Sequence, residues 1–258
     1  MSHLDKRYLV LEEEPAARLP VCLLIDKSWS MNVVTGGIPT GEKVIRDNKE
    51  YVIVDGGTDR RMDALLSAVG VFCSDIRRDT RAKASVELAI VSFGDNVVVE
   101  RDFMPIDESL ENFAIEANGN NTPLGLAVDR GLQLLDRRKE DYNEYGIAYY
   151  QPQLVILTDG EATDSDKCTQ VAKDVQSRMS NGKLLSLPFL VGSSDETQQL
   201  RKFGPKNEVF QVAEASLASL FKYLSQSAIQ GSRSNAGGTE SHTIQQMLDG
   251  LRNAVKRI

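Results

Sequence analysis

With 258 residues, 41% of them apolar, and a formal charge of −7, the chain has the material for one sizeable α/β domain with an appendage and is too acidic for a general phosphate-neutralising nucleic-acid binder. No apolar run approaches the roughly 18 residues of a membrane span, and the opening "MSHLDKRYLVLEEEP" lacks the basic-then-apolar pattern of a secretory signal, so a cytoplasmic protein with no membrane and no nucleic-acid partner is expected. Cys22, Cys73 and Cys168 are scattered and His3 and His242 lie near the ends, which argues against a disulfide framework and a zinc cluster.

The first element, "LPVCLLI" (19–25), is a continuous apolar run of the kind that forms a strand covered on both faces. Residues 32–58 then interrupt what is otherwise a direct strand-to-helix connection; within them "KVIRDNKEYVIVD" reads as a β-hairpin turning near Asp47 and Asn48, with glycine pairs as joints. Met62, Leu65, Leu66, Val69, Phe72, Cys73 and Ile76 recur at helical spacing, and "ASVELAIVSF" (84–93) is a second buried strand. Leu124, Ala127, Val128, Gly131, Leu132 and Leu135 mark the next helix, whose end "DRRKEDYNEY" (136–145) reads as solvated.

"QLVILT" (153–158), a helix over 165–180 with Asp164 as its cap, "LLSLPFLV" (184–191), the late strand in "NEVFQV" and a helix over 215–229 continue the alternation. Strands separated by helices require crossover connections, hence a doubly wound, mostly parallel α/β sheet with helices on both faces. Residues 1–16 form an N-terminal extension, 17–230 the domain, 231–242 a polar Gly/Ser-rich linker, and 243–258 a C-terminal amphipathic helix with Ile244, Met247, Leu248, Leu251, Val255 and Ile258 on one face.

In such a sheet the ligand site lies outside the carboxyl ends of the strands, where strand order reverses. Asp26, Ser28 and Ser30 follow the first strand, Asp159 follows "QLVILT", and Thr122 stands at the mouth of the helix that begins near Pro123. Carboxylate and hydroxyl oxygens are small hard ligands suited to Mg²⁺ or Mn²⁺, with water filling the remaining positions and one left for an outside group.

These motifs carry a resemblance. "LLIDKSWSM", "GNNTPLGLAVDRGLQLL" and "LVILTDGEATD" resemble the three motifs of the metal-ion-dependent adhesion site of von Willebrand factor type A (VWA) domains. "RAKASVELAIVSFGDNV" and "FLVGSSDETQQLRKF" resemble the bacterial, cytoplasmic TerY-like branch linked to tellurium resistance and stress response. The resemblance implies about six strands flanked by helices and one divalent ion, with Ser28, Ser30 and Thr122 as direct or nearly direct ligands and Asp26 and Asp159 acting directly or through water. It also implies a partner protein that supplies an Asp or Glu to the ion, in a complex with an associated phosphatase or kinase, and a binding role without enzymatic chemistry.

Two departures from the family pattern matter. Trp29 stands where the family usually has glycine, so the loop must accept a large side chain that can strain it or shift the ion; that side chain either folds back onto a neighbouring helix or stands on the rim, with Asn121 and Glu161, as a partner contact. The hairpin must emerge on the same face, either as a loop without a role or as a selector of partners.

Three other readings fit less well or compete. "GGIPTGEKV" approaches a phosphate-binding loop but carries Glu42 where the lysine belongs. A Mg²⁺-dependent phosphohydrolase with Asp26 as nucleophile lacks a second carboxylate two residues on, where Ser28 stands. In the last reading the metal is purely structural and the C-terminal helix does the binding.

Overall fold

The computed structural model describes residues 16–34, 36–46, 49–57, 59–110, 113–160, 162–192, 197–231, 249–250 and 256–257. In chain order the elements are β1 (Leu19–Asp26), the hairpin strands β2 (Ile38–Arg46) and β3 (Lys49–Asp55), α1 (Arg61–Arg78), α2 (Thr80–Ser85), β4 (Val86–Phe93) and β5 (Val97–Pro105). There follow α3 (Leu124–Glu144), β6 (Gln153–Thr158), α4 (Ser165–Ser180), β7 (Leu185–Val191), α5 (Gln198–Arg201), β8 (Phe210–Val212), α6 (Leu217–Gly231) and β9 (Lys256–Arg257).

The main sheet runs β5-β4-β1-β6-β7-β8-β9, with β4, β1, β6, β7 and β8 parallel and both edges antiparallel. β1 is central and buried along its whole length because its side chains serve two cores alternately. Leu19, Val21, Leu23 and Ile25 face α1 and α6, against Met62, Leu65, Phe72 and Phe221. Cys22 and Leu24 face α3 and α4, against Leu124, Val128, Cys168 and Val175. A strand with helices on both sides has no polar face, which is why it appears in sequence as an unbroken apolar run. Among the described residues no helix is long and apolar enough to cross a membrane.

Helices α3 and α4 approach closely where they begin. A Cβ on Gly125 would stand 2.5 Å from the backbone nitrogen of Cys168, closer than packed atoms tolerate. That approach lets the Asp164 carboxylate accept from the backbone N–H groups of Gly125 (3.0 Å) and Leu126 (2.9 Å), so Asp164 caps α3 and makes no side-chain cap bond to its own helix α4, contrary to expectation. Gly125→Ala is expected to lower stability by about 1–3 kcal/mol through overpacking of backbone against backbone. A thermal melt indistinguishable from wild type would show that the crossing can relax.

Several sequence expectations need correction. The stretch 136–145 is not a solvated helix end: Arg138, Asp141 and Tyr142 are buried, because α3 continues to Glu144 and turns these residues onto the sheet. The edge strand β5 carries a weak signal in sequence, since Val97–Val99 pass at once into Glu100, Arg101 and Asp102 and most of its side chains are half-buried or exposed. The first two residues of "ASVELAIVSF" belong to α2. The hairpin strands form as expected, paired from Ile38↔Asp55 to Arg46↔Lys49, while residues 47–48 of its turn lie outside the described residues.

The N-terminal extension up to residue 15 and residues 232–248 likewise lie outside them. Of the C-terminal helix expected over 243–258, Asp249 and Gly250 are helical, but Lys256–Arg257 run antiparallel to β8, Phe210 opposite Arg257. Pairing with the open sheet edge satisfies their backbone groups where the last helical turn was expected.

Candidate metal centre

From β1 the chain passes through the hairpin and α1 to β4 on one side, whereas α3 delivers it to β6 on the other. The carboxyl ends of β1 and β6 therefore flank the point where strand order reverses. Asp26 is the last residue of β1 and Asp159 the first after β6.

Four of the five expected ligands are joined there. One Asp26 oxygen accepts from the backbone N–H of Ser28 at 2.8 Å, and the other from the Thr158 hydroxyl. The Ser28 and Ser30 hydroxyls stand 3.0 Å apart, and Ser30 donates to Asp159 Oδ1 at 2.6 Å. Asp26, Ser28 and Asp159 are all buried.

Thr122, the fifth, is brought alongside by backbone bonds that lace three loops together. Trp29 N–H donates to the Gly119 carbonyl (2.8 Å) and Gly119 N–H to the Lys27 carbonyl (3.0 Å), joining the serine loop to the threonine loop. Thr163 N–H donates to the Thr122 carbonyl (3.0 Å), and the Thr122 N–H to the Thr163 hydroxyl (3.2 Å), joining that loop to the one after β6. Register in these loops is fixed by the strands beneath, so the three motifs converge although about ninety residues separate the first from the second.

The rim residues fare differently. Trp29 opens a 3₁₀ turn (Trp29–Asn32), is half-buried, and carries the Arg46 guanidinium of the hairpin over its ring at 5.2 Å. The loop does not need the glycine the family usually has there: among the described residues, positive φ outside glycine occurs only at Lys206 and Asn207. Asn121 is exposed but its amide donates to Asp95 Oδ1 at 2.9 Å, tying it to the β4–β5 turn. Glu161 lies outside the described residues.

The model of the von Willebrand factor type A domain matches residues 21–226, most of the chain and all three motifs. The chain belongs to the von Willebrand factor type A family. No curated protein matches the sequence. Among solved structures, the VWA domain of the type V pilus tip protein Mfa5 from Porphyromonas gingivalis superimposes with TM-score 0.59 at 11% identity, over 86% of this chain and 99% of that one. A von Willebrand factor type A protein from Catenulispora acidiphila gives TM-score 0.54 at 17% identity, over 83% of this chain and 43% of that one. The pilus adhesin SpaC from Lactobacillus rhamnosus GG gives 0.57 at 11%, over 83% and 31%. This chain thus spans less than half the length of the Catenulispora and Lactobacillus proteins, and at these identities the likeness is one of fold.

Electrostatics at the VWA site favour a cation. Burial, and next the neighbouring Asp159 carboxylate, push the Asp26 carboxyl up to about 7, against the pull of its bonds from Thr158 and Ser28. Because the folded-state value exceeds that of the unfolded chain, Asp26 opposes folding increasingly as pH climbs from about 4 to about 7 and its proton is lost. A cation at the site removes that penalty.

The donor set also fits a small hard ion. Two ligands at adjacent corners of an octahedron with bonds of about 2.1 Å stand about 3.0 Å apart; the two serine oxygens are separated by 3.0 Å. No group of three or more His, Cys, Asp or Glu side chains suited to a metal occurs among the described residues, so any ion here relies on hydroxyls. The arrangement does not suit Asp26 as a nucleophile, since it is fully buried and both oxygens are engaged.

Sequence reasoning missed Arg61, Glu214 and Thr158. Arg61 Nη1 donates to Asp159 Oδ2 and its Nε to Glu214 Oε1, both at 2.7 Å. One signal was available: a cation at the first position of a helix opposes the macrodipole, which suggests that a specific partner holds it there.

Proposed function

We propose that this protein is a non-enzymatic, divalent-cation-dependent protein-interaction module that binds a carboxylate of a partner through an adhesion-site ion. The observation that carries the reading is the hydrogen-bonded set Asp26, Ser28, Ser30 and Asp159 at the strand-order switch, with its two serine oxygens at octahedral spacing. Ser28, Ser30 and Thr122 would hold Mg²⁺ (or Mn²⁺), with Asp26 and Asp159 directly or through water; the ion supplies an electrophilic position for an Asp or Glu from outside.

The surrounding rim makes the contact selective. Trp29, with Arg46 of the hairpin over its ring, and the exposed Asn121 would meet the partner, Glu161 of the loop after β6 is assigned the same role from its place in sequence, and the hairpin adds exposed apolar side chains at Ile45 (67% exposed), Val52 and Ile53. The likeness of two stretches to TerY-like proteins supports a place in the bacterial cytoplasm, in a tellurium-resistance or stress-response complex with an associated phosphatase or kinase.

The test is capture from lysate of the native host by intact protein, Asp26→Ala and Thr122→Ala, each with excess Mg²⁺ and with chelator. A protein retained only by intact bait with metal is the expected result. Equal retention under all conditions would refute the adhesion reading and move recognition to the hairpin or the C-terminal tail.

A further inference from the structure

Asp159 is the family-type carboxylate after β6, yet both of its oxygens are already engaged by this chain. Ser30 donates to Oδ1 at 2.6 Å and the Arg61 guanidinium to Oδ2 at 2.7 Å. Arg61 is only 15% exposed and is fixed from three sides. Its backbone N–H donates to the Val33 carbonyl, its Nε is paired with Glu214, and Gly192 passes beneath it at φ +85°. A Cβ on Gly192 would lie 2.7 Å from Arg61 Nη2, so the chain has a glycine where the guanidinium needs room.

We propose that Arg61 is a built-in counter-cation of the metal centre: by neutralising Asp159 it limits the affinity for the ion and leaves the ion, once held, with excess positive charge for a partner's carboxylate. This rests on the metal-site reading above. With the Asp159 charge offset by Arg61, Asp26 is, among the described residues proposed to hold the ion, the carboxylate without a counter-cation, and the three hydroxyls contribute no charge. Glu214 sets how strongly Arg61 acts, because it takes the other edge of the same planar fork and draws charge away from Asp159.

Isothermal titration of the full chain with Mg²⁺ alone, and with Mn²⁺ alone, tests this. Arg61→Gln keeps an amide donor for Asp159 and removes the charge; it is expected to bind Mg²⁺ about tenfold or more tightly than wild type, since a unit charge close to a divalent ion in a partly buried site has at least that effect. Arg61→Lys, which keeps the charge, is expected to return the affinity to within about threefold of wild type, an outcome that packing alone would not produce. Glu214→Gln, which leaves Asp159 untouched, is expected to weaken binding several-fold, and it serves should Arg61→Gln melt near ambient temperature. If wild type binds and Arg61→Gln binds no more tightly, the counter-cation role is refuted while the metal site stands. If neither wild type nor Arg61→Gln binds either ion, the metal site itself falls and this role with it.

Discussion

Asp26→Asn is expected to weaken divalent-cation binding by about two orders of magnitude or more, while making the metal-free protein more stable above pH 7. Both effects follow from one carboxylate. In metal-free protein its charge sits fully buried beside Asp159, which is why its carboxyl is raised to about 7. An amide removes that charge at almost unchanged volume, and Thr158 can reverse its hydroxyl to accept where it now donates. Each unit of raised pKa corresponds to about 1.4 kcal/mol, so a gain of order 4 kcal/mol is expected at pH 8, shrinking toward zero below about pH 3, where the wild-type carboxyl is protonated in folded and unfolded chains alike. Thermal melts in chelator across that range measure it. A variant that melts lower than wild type at pH 8 would mean that Asp26 supports the fold as a charge and not the ion.

Glu87→Ala is expected to be the most damaging single substitution away from the site, costing about 3–5 kcal/mol, or on the order of 10 °C in Tm. Glu87 is fully buried at the start of β4, accepting from Arg138 Nε at 2.7 Å and from the Tyr142 hydroxyl at 2.6 Å, with Arg18 Nε 3.7 Å away. Truncation leaves Arg138 and Arg18 as buried cations that have lost a shared counter-ion, and desolvated charge is far more costly than the missing contact. Glu87→Gln keeps an acceptor and should cost less. By contrast, Asp136→Ala breaks the two hydrogen bonds from Arg178 (2.6 and 2.8 Å) in a pair partly exposed to solvent, and a loss of about 1 kcal/mol or less is expected. Equal losses for Glu87→Ala and Asp136→Ala would show that burial is not what gives the Glu87 network its weight.

The two substitutions also mark what could and could not be read from the chain. Asp26, Ser28 and Ser30 were legible because they are neighbours in sequence at the end of an apolar run, and a strand end is a local feature. Glu87 was not, although it stands inside such a run. Its partners lie 51 and 55 residues further on, in a stretch whose charge density looks like a solvated surface. Asp164 precedes one helix, whereas its carboxylate serves the first turn of another, at Gly125 and Leu126, 39 and 38 residues earlier.

By itself, the sequence determined the alternation of strands and helices, the two-sided burial of β1, the inserted hairpin, and the set of hard oxygen donors at strand ends. Each of these is written in spacings of two to four residues, set by backbone geometry and side-chain burial. Only the tertiary structure decided which strand lies beside which, that Trp29 meets Arg46 of the hairpin, and that Arg61 stands between Asp159 and Glu214, partners 98 and 153 residues away. The physical reason is the reach of the interactions. Hydrogen bonds and ion pairs act over about 3–4 Å, so a charged side chain shows its role only when packing has chosen its neighbours, whereas apolar periodicity is visible before any neighbour is known.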